Sequence, residues 1–492
     1  LTFPLLSVTL LVSFGSSMLY GYSLAVVNAP AVPIKAFYNA TWSRRHGHGL
    51  APGPLTLLYS LTVSVFALGG LLGSILVGVL VARYGREGVE GGTGKKGEDG
   101  DGKGTEGLSC CLYPTRNGTL GRSALLVLLA GASMGFSRDL SSPEMVIFGR
   151  SIMGLHSGIC LSVVPLYLGE IAPKSLRGFL GLVPSIFICL GVFSAQVLGL
   201  PELLGKDRYW PLFLSVVVVP ASLQLLLLRC FPESPRYLLV ERNNVHGATK
   251  ALRWFLDTTD VQDEIEEMRE EQRSLSSVET VSVWQLLRDR SVRWQTLSVV
   301  VVNAGMQLSG IDAIWFYTNT IFESAGIPAP HIPYATVGTG AIEILAGLVG
   351  IYNSSSAQTF FAVITSLIRI LMAHCSQTMM NRTFKTKKYI SLFWASCEGK
   401  QEGIDLSLPC PAGVPFLMTA ELFTQSHRPA AYIVGGSLNW LSNFTVGFVF
   451  PFLQMSAGAF CYLFFCGVCL LVALYVYLIV PETKNKTFLE IS

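Results

Sequence analysis

Long uncharged apolar runs alternate with short charged segments along most of this chain, and the length of the runs is the first clue. About 20 consecutive apolar residues cross a bilayer as a helix. Leu1–Ile34 carries no charged side chain. It is too long and too rich in Gly and Tyr for a signal peptide, so it reads as a first span. Gly49–Ala82 follows as a second, Ser123–Ser137 as a third that is short at 15 residues, and Met145–Pro165, with Arg150 inside it, as a fourth. Gly178–Pro201 and Tyr209–Leu228 read as the fifth and sixth. Pro232–Arg293 is charged, and its Glu/Arg-rich middle, Asp263–Arg273, has the pattern of a solvated helix. Gln295–Phe322 and Tyr334–Tyr352 supply a seventh and an eighth span. Pro429–Pro481 is uncharged over 53 residues, room for two spans with a turn at about Gln454–Gly458.

Composition agrees with that pattern. Hydrophobic residues make up 51% of the 492 and charged residues 14%, against roughly 25% charge in an average soluble domain. Mean hydropathy is +0.50. A soluble enzyme so composed would expose too much apolar surface, and a net charge of +3 leaves no basic footprint for nucleic acid. The 11 cysteines sit mostly inside apolar runs. Cys466 and Cys469 have CxxC spacing among Phe, Val and Leu, which points to packing rather than to a redox or metal site. Cys110 and Cys111 lie in a polar segment open to palmitoylation.

Basic residues set the orientation. Arg83 and Arg86, Lys174 and Arg177, Arg236 and Arg242, then Lys484 and Lys486 fall on one side if the N-terminus is cytoplasmic. The opposite side then carries a glycosylation sequon at Asn39-Ala40-Thr41. Lys35, Arg44 and Arg45 in the same loop run against the charge rule.

The chain also repeats itself at half length. Glu170 and Arg177 in GEIAPKSLRG correspond to Glu421 and Arg428 in AELFTQSHRP, each pair seven positions apart and the two pairs offset by 251. FPESPRYL at Phe231 and VPETKNKTF at Val480 close the two halves at an offset of 249. Parallel six-span halves with a site at their interface describe a secondary transporter. Glu and Arg at span ends can pair in one state and part in another, or can anchor helix ends at the headgroups.

PLYLGEIAPKSLRG (Pro165–Gly178), FPESPR (Phe231–Arg236), QLSG (Gln307–Gly310), NWLSNF (Asn439–Phe444) and PETK (Pro481–Lys484) together resemble the sugar porters of the major facilitator superfamily. Within them the chain resembles the facilitated glucose transporters, solute carrier family 2. Phe416, where glucose carriers have Trp, places it in their fructose- and urate-carrying branch. The resemblance implies an all-α polytopic fold of two six-helix halves related by a pseudo-twofold axis and joined by an intracellular helical linker. It implies an alternating-access uniporter in the plasma membrane with both termini cytoplasmic. The partners implied are a small-molecule solute and the lipid bilayer, with no cofactor, nucleotide, metal, nucleic acid or obligate protein partner. By matching motifs Gln307, Asn439 and Trp440 line the central site, with Asn443 one turn on; hexose recognition needs amides for hydroxyls and an aromatic face for the ring. Tyr20 and Tyr22 are candidate wall residues. Arg83, Arg86, Arg150, Glu170, Arg177, Glu233, Arg236, Glu421 and Arg428 are the candidate gating charges.

Departures from the family pattern bear on the solute. Ser185 stands where a sugar-binding Gln is usual, Met306 replaces the first Gln of QQLSG, and Asp312 replaces a substrate-contacting Asn. Fewer amides argue against tight hexose binding. Asp312 and Glu343 lie inside spans, where a charge costs at least ~2.5 kcal/mol and usually serves function. Two ionised carboxylates would repel an anion such as urate, so urate requires one of them neutral. RYGRE (Arg83–Glu87) departs from the family's cytoplasmic signature at Ala82 and Glu87. Residues 88–122 include a Gly/charge-rich stretch that reads as a foreign insert. Residues 353–409 lack the signature and spans expected there and read as a gene-model error, leaving a tenth span from about Pro409 to Phe423.

The chain therefore divides into residues 1–231 (first bundle), 232–293 (linker), 294–480 (second bundle) and 481–492 (tail). The expected function is facilitated transport of hexose (fructose or glucose) and/or urate. The alternative is a transport-inactive membrane protein, or a mis-assembled product without a complete twelve-helix bundle. No nucleophile–base, metal or phosphate-loop motif supports an enzyme.

Overall fold

The computed structural model describes residues 2–90, 116–173, 176–276, 281–324, 326–352, 419, 422–423 and 426–479. All regular structure in these segments is helical, as a bilayer demands of backbone that must satisfy its own hydrogen bonds. Seven helices are long and apolar enough to cross a membrane, and two shorter apolar ones, Val183–Leu198 and Cys461–Val476, accompany them.

The first half begins with α1 (Phe3–Ala25), interrupted by a π-helical turn at Ser13–Ser17. Helix α2 (Ala31–His46) ends where Gly47 takes φ +77°, a conformation glycine adopts without strain. The spans α3 (Pro52–Glu90), α4 (Arg116–Gly135), α5 (Pro143–Ile171), α6 (Arg177–Leu198) and α7 (Trp210–Cys230) complete it. Residues 116–122, read from sequence as part of an insert, are the first turns of α4. Their polar side chains broke the apolar run, but Arg116 and Asn117 anchor that helix end.

Glycines draw these spans together. A Cβ on Gly154 or Gly158 of α5 would collide with the carbonyl oxygen of Phe66 or Gly70 on α3; one on Gly21 of α1 would collide with that of Ile188 on α6. Small residues at such crossings let membrane helices meet backbone to backbone.

The linker contains α8 (Val245–Leu256), α9 (Gln262–Ser276) and α10 (Val283–Arg288). Leu239, Ala248, Leu252, Val261, Ile265 and Met268 give it a small core. Ser282 and Gln285 form a capping box on α10. The Val281 amide donates to the Ser426 carbonyl at 3.0 Å, tying the linker to the second half.

In that half lie α11 (Arg293–Ser324), α12 (Ile332–Tyr352), α13 (Arg428–Ala457) and α14 (Cys461–Ile479). Helix α11 breaks at Gly310, whose φ of +93° and closeness to the Phe465 ring leave no room for a side chain. The halves meet where α13 lies along α3 and α12 along α6.

Candidate functional site

The break in α11 places two polar side chains at one level of the membrane. Gln307 precedes it and Asp312 follows; they are 4% and 1% exposed. The Gln307 amide lies between two acceptors: in one orientation its nitrogen donates to Asn439 Oδ1 of α13 at 2.7 Å, in the other to the Asp312 carboxylate. Asn443, one turn along α13, is completely buried and faces the same carboxyl. Neither of its amide atoms makes a well-formed hydrogen bond. A buried amide with unspent hydrogen-bonding capacity is what a polar solute can engage.

Aromatic rings face this cluster. Trp440 meets Tyr20 edge-on at 5.8 Å and Phe66 at 6.1 Å, while Tyr20 and Phe66 stack at 6.1 Å. Trp440 Nε1 donates to Ser74 Oγ at 2.8 Å, so one side chain of the second half is bonded to a span of the first. Tyr20 lies within electrostatic reach of Asp312.

Tyr22, expected beside Tyr20, turns away. Its hydroxyl donates to the Phe213 carbonyl at 2.7 Å and its ring packs edge-on against Phe213. Residues two apart on a helix do not share a face. Ser185 is half-buried on α6. Glu343, half-buried on α12, neighbours Trp315 and Cys189. Phe416 lies outside the described residues, as does Glu421.

Arg150 is 1% exposed and its hydrogen bonds go to main-chain carbonyls: Ser23 at 2.6 Å, Val63 at 3.4 Å and Thr62 at 3.5 Å. Its guanidinium sits 4.7 Å over the Phe66 ring. One cation thus braces α1, α3 and α5 and borders the aromatic cluster.

At the linker end Glu170 is held inside the first half. It accepts from Arg116 Nη2 at 3.1 Å and Ser234 Oγ at 2.6 Å. Glu233 accepts from the amides of Asn117 and Ser234 at 3.1 and 3.0 Å. Arg236 is half-buried in the turn after Pro235. Arg83 and Arg86 lie at the end of α3, and Arg177 opens α6. Arg428 Nε donates to the Phe423 carbonyl at 2.9 Å.

The opposite, distal end carries a contact that the motifs did not announce. Asn28, in the turn after α1, donates from Nδ2 to Asn319 Oδ1 at 3.1 Å, and the Asn319 amide donates back to Asn28 Oδ1 at 3.0 Å. Thr336 completes the cluster at 2.9 Å, and the Tyr334 hydroxyl donates to Glu202 at 2.6 Å. Asn39 caps the turn after α2, its Oδ1 accepting from the Leu50 amide at 2.8 Å.

A break in a span, buried amides around it, and a seam between two helical halves define a polytopic membrane carrier rather than an enzyme. The sugar (and other) transporter family model matches residues 8–89 and 113–492, passing over 90–112. Human solute carrier family 2, facilitated glucose transporter member 9 is 44% identical over 99% of this chain and 84% of its own. Human member 5 is 40% identical over 100% and 92%. The E. coli xylose transporter XylE, in its partially occluded inward-open conformation, superposes with a TM-score of 0.70 at 20% identity, over 99% of this chain and 100% of its own. The fold is that of the major facilitator superfamily. The chain belongs to the sugar transporter family and, within it, to the facilitated glucose transporters of solute carrier family 2.

Proposed function

We propose that this protein is a plasma-membrane uniporter for a hexose, fructose or glucose, working by alternating access with both termini cytoplasmic. The observation that carries the solute is the pairing of the buried Gln307–Asn439–Asn443 amides with the Tyr20–Phe66–Trp440 rings across the seam. Amides answer hydroxyls, and aromatic faces cover the C–H side of a pyranose or furanose ring. Asp312 adds an acceptor for a hydroxyl donor, in place of the donor–acceptor pair an Asn would bring.

Urate is a second reading, favoured by Arg150, a buried cation stacked on the Phe66 ring at the border of the cluster. It needs Asp312 or Glu343 neutral when the anion is bound. Uptake of labelled fructose, glucose and urate in oocytes, compared directly, tests both. Gln307→Ala removes two hydrogen-bonding positions, each worth about 1 kcal/mol, so solute affinity should fall by about 10- to 30-fold with surface expression unchanged. Asp312→Asn should raise urate uptake relative to hexose uptake if the anion is carried. No uptake of any of the three, despite surface expression, would reject the proposal.

A further inference from the structure

At the distal end of the first half, α4 and α7 leave between them a groove of about 1000 Å³. Helix α4 runs toward that end from Arg116, which is bonded at the linker end. Gly131 and Gly135 make the floor: a Cβ on the first would collide with Val218, and one on the second would come within 2.7 Å of Ser215 Oγ. The walls are apolar and face outward, with Phe136 61% exposed, Leu212 56% and Val219 68%. Its mouth distinguishes the groove from ordinary lipid-facing surface. Arg138, Asp139, Asp207 and Arg208 gather there, all exposed. Arg138 Nη1 donates to the carbonyls of Asp207 and Arg208 at 3.3 and 3.1 Å, which fastens the turn after α4 to the loop before α7. Tyr209, also lining the groove, is an aromatic of the kind that settles at the headgroup level.

We propose that this groove binds one zwitterionic glycerophospholipid. An acyl chain lies between α4 and α7, the phosphate meets Arg138 and Arg208, and the headgroup ammonium meets Asp139 and Asp207. The balance of sign selects the headgroup. An anionic lipid would bring its net charge to two carboxylates, and a sterol, with one hydroxyl, would leave four charges unanswered.

The test uses the full chain in phosphatidylcholine nanodiscs containing a small fraction of phosphatidylcholine with a diazirine on its acyl chain. After irradiation, adducts are mapped by peptide mass spectrometry. Labelling should concentrate on residues 128–136 and 211–219. Ala132→Trp, which fills the groove, should abolish that excess. Val219→Trp at the lip is a second filler should the first variant fail to fold. Arg208→Gln should weaken labelling by up to about fivefold, the upper worth of one exposed ion pair. At fixed probe content, exchanging part of the unlabelled phosphatidylcholine matrix for phosphatidylglycerol or cholesterol should raise labelling of the groove, because neither replaces the probe there as well as phosphatidylcholine does. Labelling spread evenly around the lipid-facing perimeter, labelling unchanged in both Trp variants, or better competition by phosphatidylglycerol or cholesterol would overturn the proposal.

Discussion

Replacing Asn28 with Ala removes both hydrogen bonds of the amide clasp at the distal end in one step. The side chain donates to Asn319 Oδ1 at 3.1 Å and accepts from the Asn319 backbone N–H at 3.0 Å. Side-chain hydrogen bonds between membrane helices average about 0.6 kcal/mol, and net values of about 1 kcal/mol are usual elsewhere. Two bonds therefore favour the distally closed state by about 1.2–2 kcal/mol, and their loss should shift the closed/open ratio about 8- to 30-fold. Spin labels at Lys206→Cys and Ala329→Cys, both exposed and on opposite halves, report the ratio by double electron–electron resonance once accessible native cysteines, such as the exposed Cys230, are replaced. The longer-distance population should grow in Asn28→Ala. Thr336→Val is the control, because Thr336 bonds Asn319 within the same half; it should shift the ratio by much less. A distance distribution in Asn28→Ala within twofold of the parent, or an equal shift in Thr336→Val, would refute the clasp.

Three further outcomes are expected. Arg150→Lys keeps the charge but cannot reach three carbonyls on two neighbouring spans; it should lower stability by about 1.5–3 kcal/mol in thermal melts and leave the closed/open ratio unchanged, as befits a brace and not a gate. Gly158→Ala sets a methyl against the Gly70 carbonyl and should cost about 1–3 kcal/mol by the same melts. The Tyr334 hydroxyl holds the Glu202 carboxyl below its ordinary range; this tie between the halves is therefore intact at neutral pH and is lost only as pH falls through that lowered value, so the spin-label distances should lengthen on acidification in the parent and stay flat in Glu202→Gln.

Much of the carrier could be read from the chain because lipid imposes simple rules. The runs around Phe3–Ala25, Pro143–Ile171 and Ala430–Ala457 gave spans by length alone, and the QLSG and NWLSNF motifs led to amides that meet. What escaped the reading was pairing over long separations. Asn28 and Asn319 are 291 positions apart and neither belongs to a quoted motif. Arg116 lies in a polar segment outside every quoted motif, so its bond to Glu170 has no signal in the sequence pattern. The start of α4 was missed for the same reason: Arg116, Asn117 and Arg122 interrupt hydropathy at the place where the helix is tied to Glu170 and Phe231. Tyr20 and Tyr22 show a different limit. Both are buried aromatics on one helix, and only the position of α7 decides which of them turns toward Phe213.

The distribution of contact types explains where the molecule can move. Within the first half, α3 and α5 meet through glycine backbones, and Arg150 spans to α1 and α3. Such contacts have no intermediate setting: any shift along the crossing drives Cα atoms into carbonyls or strands a buried guanidinium, which costs several kcal/mol. Between the halves the polar ties among the described residues include single side chains: Trp440 to Ser74, Asn28 to Asn319 and Tyr334 to Glu202. Each rests on one or two hydrogen bonds and can exchange its partner for water or solute. A solute seated, as proposed, at Gln307 and Asn439 would lie beside the first of these ties. It can alter the balance at the seam without disturbing either body, provided it binds the two arrangements unequally.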